Sequence, residues 1–61
     1  MAVFFTEKPQ KGKRYKLTDV ISESERFVIL LGAKMKNGVI WLTFRADDGS
    51  EFDAELLGSI D

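Results

Sequence analysis

The sequence predicts an all-β fold: one small domain over residues 1–61, built as a five-stranded antiparallel barrel. Three observations predict it. Residues 27–57 hold two strong turn signals, apolar and polar residues alternate on both sides of those turns, and two further strand patterns lie nearer the N-terminus. The chain has 61 residues with no cysteine and no histidine, which excludes disulfides and the usual zinc sites. Its stability therefore depends on β packing or on self-association.

The N-terminal part of the chain supplies the first two strands. Residues 3–5 form a short apolar run, and Pro9 and Gly12 mark the loop that follows. Residues 13–21 alternate until the pattern breaks near Asp19, which indicates a bulge or a strand end. The apolar side of this strand carries Tyr15, Leu17 and Ile21. Residues 22–25 then read as a polar connector, although residues 18–26 also fit helical spacing, so a short helical turn is the alternative there.

The first hairpin turns at Asn37-Gly38, the strongest short hairpin signal, because a type I′ turn needs positive φ at both central residues. Closing this turn matches apolar residues across four pairs: Met35 with Ile40, Ala33 with Leu42, Leu31 with Phe44 and Ile29 with Ala46. A one-residue slip would destroy that match. The same register leaves an unusually apolar outer face, made of Val28, Leu30, Val39 and Trp41.

The second hairpin turns at Asp47-Asp48-Gly49, a triplet suited to a type I turn that a left-handed Gly closes. Its inner pairs are Phe44 with Phe52, Leu42 with Ala54 and Ile40 with Leu56. Its outer pairs are Arg45 with Glu51, Thr43 with Asp53 and Trp41 with Glu55. Residues 27–57 are therefore predicted to form a C-terminal three-stranded meander.

Five short strands should curl into a small barrel, because an open sheet would leave one apolar face in water. The SH3-like barrel and the oligonucleotide-binding (OB-like) barrel are the two candidates. The OB-like barrel often carries a helix between its third and fourth strands, and the Asn37-Gly38 turn leaves no room for one. We therefore prefer the SH3-like arrangement.

Catalysis is not expected. The chain has no histidine for acid–base work near neutral pH and no cysteine nucleophile. Its serines have no nucleophile-elbow context. A small barrel filled with side chains leaves little room for a pocket of about 300 Å³ or more. The turn at Asp47-Asp48-Gly49 lacks the ligand spacing of a calcium-binding loop. Neither a metal nor a cofactor is predicted.

The charges are segregated along the chain although the net charge is only −1. Residues 1–45 hold all nine basic residues and four acids, a balance of +5, whereas residues 46–61 hold six acids and no base. Such a division produces either a bipolar surface or pairing of the two blocks across neighbouring strands. The sequence leaves both interpretations open.

Two groups of residues are candidates for binding. The first is a basic cluster of Lys11, Lys13, Arg14 and Lys16, which could hold phosphate through its side chains and the Gly12 amide, or could simply be a solvated strand face. The second is the outer sheet face around Trp41, on whose ring Lys34 could stack. We assign the candidate protein-binding residues as Trp41, Arg45, Lys34, Thr43, Leu30 and Val39.

The preferred function is a non-enzymatic protein-binding module. Trp and Arg dominate protein interfaces, and an uncovered apolar patch usually marks one. The chain's size is typical of a stand-alone adaptor or an inhibitor, of the kind that phages and viruses direct at host factors. The alternative is a nucleic-acid or nucleotide-binding barrel that uses the basic cluster and Trp41. The sequence pI near 5.3 and the acids beside Trp41 count against this alternative.

A protein partner is therefore the first expectation, and a homo-oligomer is a second, since opposite charge blocks could meet head to tail. The N-terminus lacks a basic start and a full apolar core, so no signal peptide is predicted, and the initial Met favours a complete small gene product. No apolar run is long enough to span a membrane. We expect cytoplasmic residence by default.

Overall fold

The computed structural model describes residues 2–5, 8–19 and 21–57 of the chain. In order, the strands are β1 (Ala2–Val3), β2 (Arg14–Asp19), β3 (Ser24–Lys36), β4 (Val39–Ala46) and β5 (Glu51–Leu56). They form one curled, half-barrel sheet in the order β1-β5-β4-β3-β2, and no helix occurs among the described residues. The predicted all-β class and the three-stranded meander are confirmed.

Both hairpin turns form as the sequence predicted. Asn37 and Gly38 adopt φ values of 53° and 78°, and the pairs from Lys36–Val39 to Gly32–Thr43 keep the predicted register. At the second turn Gly49 has φ of 89° and its N–H donates to the carbonyl of Ala46 (2.9 Å). The β4–β5 register from Trp41–Glu55 to Arg45–Glu51 is also as predicted. The tight turn between β3 and β4 leaves no room for an OB-type helix, and the SH3-like arrangement stays our interpretation.

A β-bulge in β3 makes part of the predicted register wrong. The pairing shifts between Leu30 and Gly32, so Leu30 lies opposite Phe44 and Val28 lies opposite Ala46. Because side chains alternate along a strand, this one-residue insertion exchanges the two faces of β3 below the bulge. Val28 and Leu30 are buried at 0% and 3% exposure, whereas Ile29 points outward at 39%.

The β2–β3 hairpin is longer than expected, because β3 begins at Ser24 and the predicted polar connector 22–25 is half strand. Strand β2 ends at Asp19, as the break in its pattern indicated. A hydrogen bond from the Glu23 N–H to the Asp19 carbonyl (2.7 Å) closes the turn, and the Ile21 and Ser22 N–H groups donate to Asp19 Oδ1. The helical alternative for residues 18–26 is thus reduced to one tight turn, in which Ile21 is 93% exposed rather than on the apolar side.

The two edge strands approach each other through the N-terminal segment. β1 pairs with β5, and this pairing is parallel, unlike the antiparallel arrangement expected throughout. β1 is also shorter than the predicted run 3–5. Beyond it, the rings of Phe5 and Tyr15 meet edge to face with centroids 5.1 Å apart. This contact links the segment after β1 to β2 and so partly covers the open side of the half-barrel.

The core lies on the concave face of the sheet. Its buried members among the described residues are Val3, Val28, Leu30, Leu42, Phe44 and Ala54. The tilted ring pair of Phe44 and Phe52, with centroids 5.6 Å apart, extends it, and the Arg26 guanidinium lies over the Phe52 ring. Burial of the apolar side chains is the main stabilising contribution in so small a chain. Among the described residues, no helix is long and apolar enough to cross a membrane.

Candidate protein-binding face

The convex face of β3, β4 and β5 brings together most of the predicted site residues. Because side chains alternate along β4, Val39, Trp41, Thr43 and Arg45 share this face, with Lys34 opposite Trp41 on β3. Trp41 is half-buried and is not among the residues that pack against the core. Its ring therefore belongs to the convex surface of the sheet, where it lines the groove described next.

An open groove runs along this face at the tip of the β3–β4 hairpin. Its volume is about 440 Å³ and its lining consists of Lys34, Lys36, Asn37, Val39, Trp41 and Asp53. The filled barrel interior was expected to leave no pocket of this size. The groove is larger than a pocket inside the barrel could be because it lies on the convex surface of the sheet, outside the core.

Asp53 lines the groove and accepts hydrogen bonds from two neighbouring strands. The Thr43 hydroxyl donates to its Oδ1 (2.7 Å) and the Lys34 ammonium donates to its Oδ2 (3.3 Å). The Thr43 hydrogen bond, followed by the hydrogen bond from Lys34, lowers the pKa of Asp53 below its ordinary value of 3.8. The carboxylate is therefore ionised at neutral pH and holds both neighbours in place.

Lys34 does not stack on Trp41 as the sequence suggested. Within the described ranges, the cations over aromatic rings are Lys13 on Tyr15, Arg14 on Phe27 and Arg26 on Phe52. The Lys34 ammonium instead pairs with Asp53, two strands away. The predicted cross-strand neighbour Glu55 does lie opposite Trp41. The ring thus faces the groove with an acid on one side and an engaged lysine on the other.

Arg45 lies on the same face, four residues along β4 from Trp41, and is held by Glu51. The Arg45 Nη2 lies 3.1 Å from Glu51 Oε2, and the two side chains are 53% and 50% exposed. An exposed pair of this kind contributes only about 0–1 kcal/mol. The ion pair holds the Arg45 guanidinium over the convex face. A partner that displaced Glu51 from Arg45 would lose little interaction energy.

Leu30 does not belong to the site. The bulge turns it into the core, and two residues that sequence reasoning placed elsewhere take its place on the convex face, Phe27 and Ile29, at 44% and 39% exposure. Gly32 was the available signal, since a glycine inside a strand often marks a bulge. The apolar character of the face survives, but different residues provide it.

The basic cluster is dispersed by the fold. Arg14 pairs with Asp47 (3.2 Å) and its guanidinium lies over the Phe27 ring, while Lys16 pairs with Glu25 (3.5 Å). The Gly12 N–H donates to the Leu30 carbonyl (2.7 Å), so this amide cannot serve a phosphate as suggested. Lys13 lies over Tyr15. Of the four predicted cations, two are already neutralised, and the proposed anion-binding loop lacks its amide.

The segregated charge blocks pair with each other. Among the described residues, three ion pairs join a base within residues 1–45 to an acid within residues 46–61: Arg14–Asp47, Lys34–Asp53 and Arg45–Glu51. Much of the charge on the convex face is therefore paired, and the pairs surround apolar side chains. This arrangement favours the pairing interpretation over a bipolar surface.

Fold and face together describe a small all-β chain with a convex apolar and charge-paired surface. No protein-family model, no curated protein and no solved structure matches the chain. The chemistry of this surface is consequently the basis on which a function can be inferred.

Proposed function

We propose that the chain is a non-enzymatic protein-binding module, a small adaptor or an inhibitor that docks through its convex face. The observation that carries the proposal is the composition of this face. Phe27 and Ile29 expose apolar surface there, the half-buried Trp41 lines the groove, and the nearby Lys34 and Arg45 already have partners. A protein surface can cover apolar groups and exchange ion pairs at modest cost, and Trp and Arg are the residues that most often dominate such interfaces.

Nucleic-acid binding fits this surface less well. A phosphate backbone would have to displace Asp53 from Lys34, Glu51 from Arg45 and Asp47 from Arg14. Affinity for nucleic acid comes chiefly from cations that release counterions, and cations already paired with acids contribute less. A nucleic-acid base stacked on Trp41 would also lie beside Glu55, whose negative charge repels phosphate. We therefore keep this function only as the alternative outcome of the test.

Site-specific photocrosslinking tests the proposal. A benzophenone amino acid at the groove-lining position of Val39 is irradiated in an extract of the source cells, with and without nuclease. We expect a nuclease-resistant protein adduct. Trp41→Ala and Arg45→Glu should abolish the adduct, because they remove the aromatic anchor and reverse the charge beside it.

Ile21→Ala is the matched control, since Ile21 is equally apolar but lies in the β2–β3 turn, 93% exposed and away from the face. This variant should give the adduct at the level of the unaltered chain. An adduct that survives both Trp41→Ala and Arg45→Glu would place the partner elsewhere. An adduct that nuclease removes would favour the nucleic-acid alternative.

A further inference from the structure

Strand β3 extends beyond the strand that flanks it. It contains 13 residues, but β2 pairs only with Ser24 to Ile29. Gly12 and Lys13 continue the line of β2 by one residue, through two hydrogen bonds with Leu30. A turn closed by the Lys13 N–H and the Gln10 carbonyl (3.2 Å) then leads the chain away. Within the described ranges, β3 from Gly32 to Lys36 pairs with β4 on one side and with no strand on the other.

The register determines which backbone groups are left on this edge. The closing pair of a two-residue hairpin is hydrogen-bonded, so Lys36 and, by alternation, Lys34 direct their N–H and C=O groups toward β4. Ala33 and Met35 must direct theirs away from it. Both residues are exposed, and no hydrogen bond between the described parts of the chain reaches their backbone from that side. The edge thus offers two donors and two acceptors in extended geometry.

The side chains around this edge determine what kind of added strand could bind to it. On the convex side, Lys34 and Lys36 flank the groove, and Lys36 forms no ion pair within the described ranges. On the opposite side, Met35 is 70% exposed next to Ala33. A strand added here would place every second side chain beside the lysines and the alternate ones beside Met35.

We propose that this edge binds an extended segment of the partner protein by strand addition, and that the segment alternates acidic and apolar side chains. Its acids would face Lys36 and would exchange with Asp53 at Lys34, and its apolar residues would cover Met35. A second copy of the same edge fits poorly, because antiparallel self-pairing centred on Lys34 brings like charges opposite each other. The inference rests on the proposed function and specifies how that partner is recognised.

The experiment uses defined peptides as probes. A short end-blocked peptide of alternating Glu and Val is titrated into the full chain, with a Lys–Val peptide of equal length as the charge control. We expect only the Glu–Val peptide to bind, and the Ala33 and Met35 amides to gain protection from hydrogen exchange when it does. Replacement of both lysines, Lys34→Glu with Lys36→Glu, should reverse the preference between the two peptides.

Met35→Pro removes the edge N–H without touching a β3–β4 hydrogen bond, and proline is tolerated at such edge positions. It should weaken binding by about tenfold or more, because a ladder hydrogen bond is lost and the ring obstructs the edge. Met35→Ala keeps the N–H and should bind within a few-fold of the unaltered chain. Amide exchange on the unaltered chain remains decisive even if the proline variant does not fold.

Equal binding of both peptides, binding without protection of the two amides, or no binding at all would overturn the strand-addition inference. Dimerisation abolished by Met35→Pro would show a second copy as the occupant and would overturn the stated chemistry. None of these results decides whether a partner uses the Trp41 face, since the photocrosslinking at Val39 measures that separately.

Discussion

At the scale of single residues, the convex face is organised by short polar contacts more than by burial. Asp53 gathers Thr43 and Lys34 from two other strands, and Arg45 is held by Glu51. A second carboxylate, Asp48, accepts from the Ser50 hydroxyl (2.7 Å) and the Ser50 N–H (2.9 Å) at the hairpin turn. A hydrogen bond to a carboxylate favours its ionised form, so the pKa of the accepting acid reports whether the contact is present.

The pKa of Asp53 should rise when its hydroxyl donor is removed. Thr43→Val deletes the largest contribution that lowers this pKa, so we expect the NMR-measured value to move up toward 3.8. Ser50→Ala is the control: it should raise the pKa of Asp48, whose first cause is the Ser50 hydroxyl, and leave that of Asp53 unchanged. A value for Asp53 that does not move in Thr43→Val would show that this hydrogen bond is absent in solution.

The same contact predicts a pH dependence of stability. Because folding lowers the pKa of Asp53 below its unfolded value of 3.8, the stabilisation is fully present above that pH and is lost as the pH falls through the folded value. We expect the free energy of unfolding, measured by urea denaturation, to decline below pH 3.8. Asp53→Asn should make that decline shallower. An unchanged slope would mean that Asp53 titrates alike in the folded and unfolded chains.

At the scale of elements, the hairpins were predictable from sequence and the bulge was not. The turns at Asn37-Gly38 and Asp47-Asp48-Gly49 are determined by local backbone geometry, so their residues predict the register around them. The bulge near Leu31 depends on which face of β3 packs against Phe44, a tertiary choice that alternation alone cannot decide. For this reason Trp41, Arg45, Thr43, Val39 and Lys34 were placed correctly on the convex face and Leu30 was not.

A pair of lysine substitutions tests the bulge. Val28→Lys buries an unpaired charge at a position with 0% exposure and should cost at least about 3 kcal/mol of unfolding free energy. Ile29→Lys, one residue further and on the convex face, should cost about 1 kcal/mol or less. Thermal denaturation followed by circular dichroism measures both. A larger cost for Ile29→Lys than for Val28→Lys would show that β3 keeps an uninterrupted register without the bulge.

A pair of alanine substitutions tests the first turn. Gly38 has φ of 78°, so Gly38→Ala should cost about 1–2 kcal/mol because an L side chain is strained in that region. Gly32 is not among the positive-φ glycines, and a Cβ there meets no atom within 4 Å. Gly32→Ala should therefore be neutral or stabilise by about 0.4–1 kcal/mol. Equal costs in chemical denaturation would contradict the type I′ assignment.

At the scale of the whole molecule, pairing of the two charge blocks weakens the case for assembly through opposite poles. In the part of the chain that the structure describes, three ion pairs already join the basic block, residues 1–45, to the acidic block, residues 46–61. The free edge of β3 also carries lysines that oppose a second copy of itself. We expect sedimentation equilibrium to give the monomer mass of 6.9 kDa, unchanged by salt. A salt-sensitive dimer would show head-to-tail association instead.

The central claim, that the Trp41 face receives a protein segment and not a nucleic acid, is tested most directly by fluorescence. Trp41 is the single tryptophan of the chain, so its emission reports on this face alone. In parallel titrations at low salt, we expect the Glu–Val peptide to shift the emission to shorter wavelength and single-stranded oligothymidine to leave it unchanged. Quenching by the oligonucleotide, with an affinity that falls log-linearly with salt, would contradict the claim.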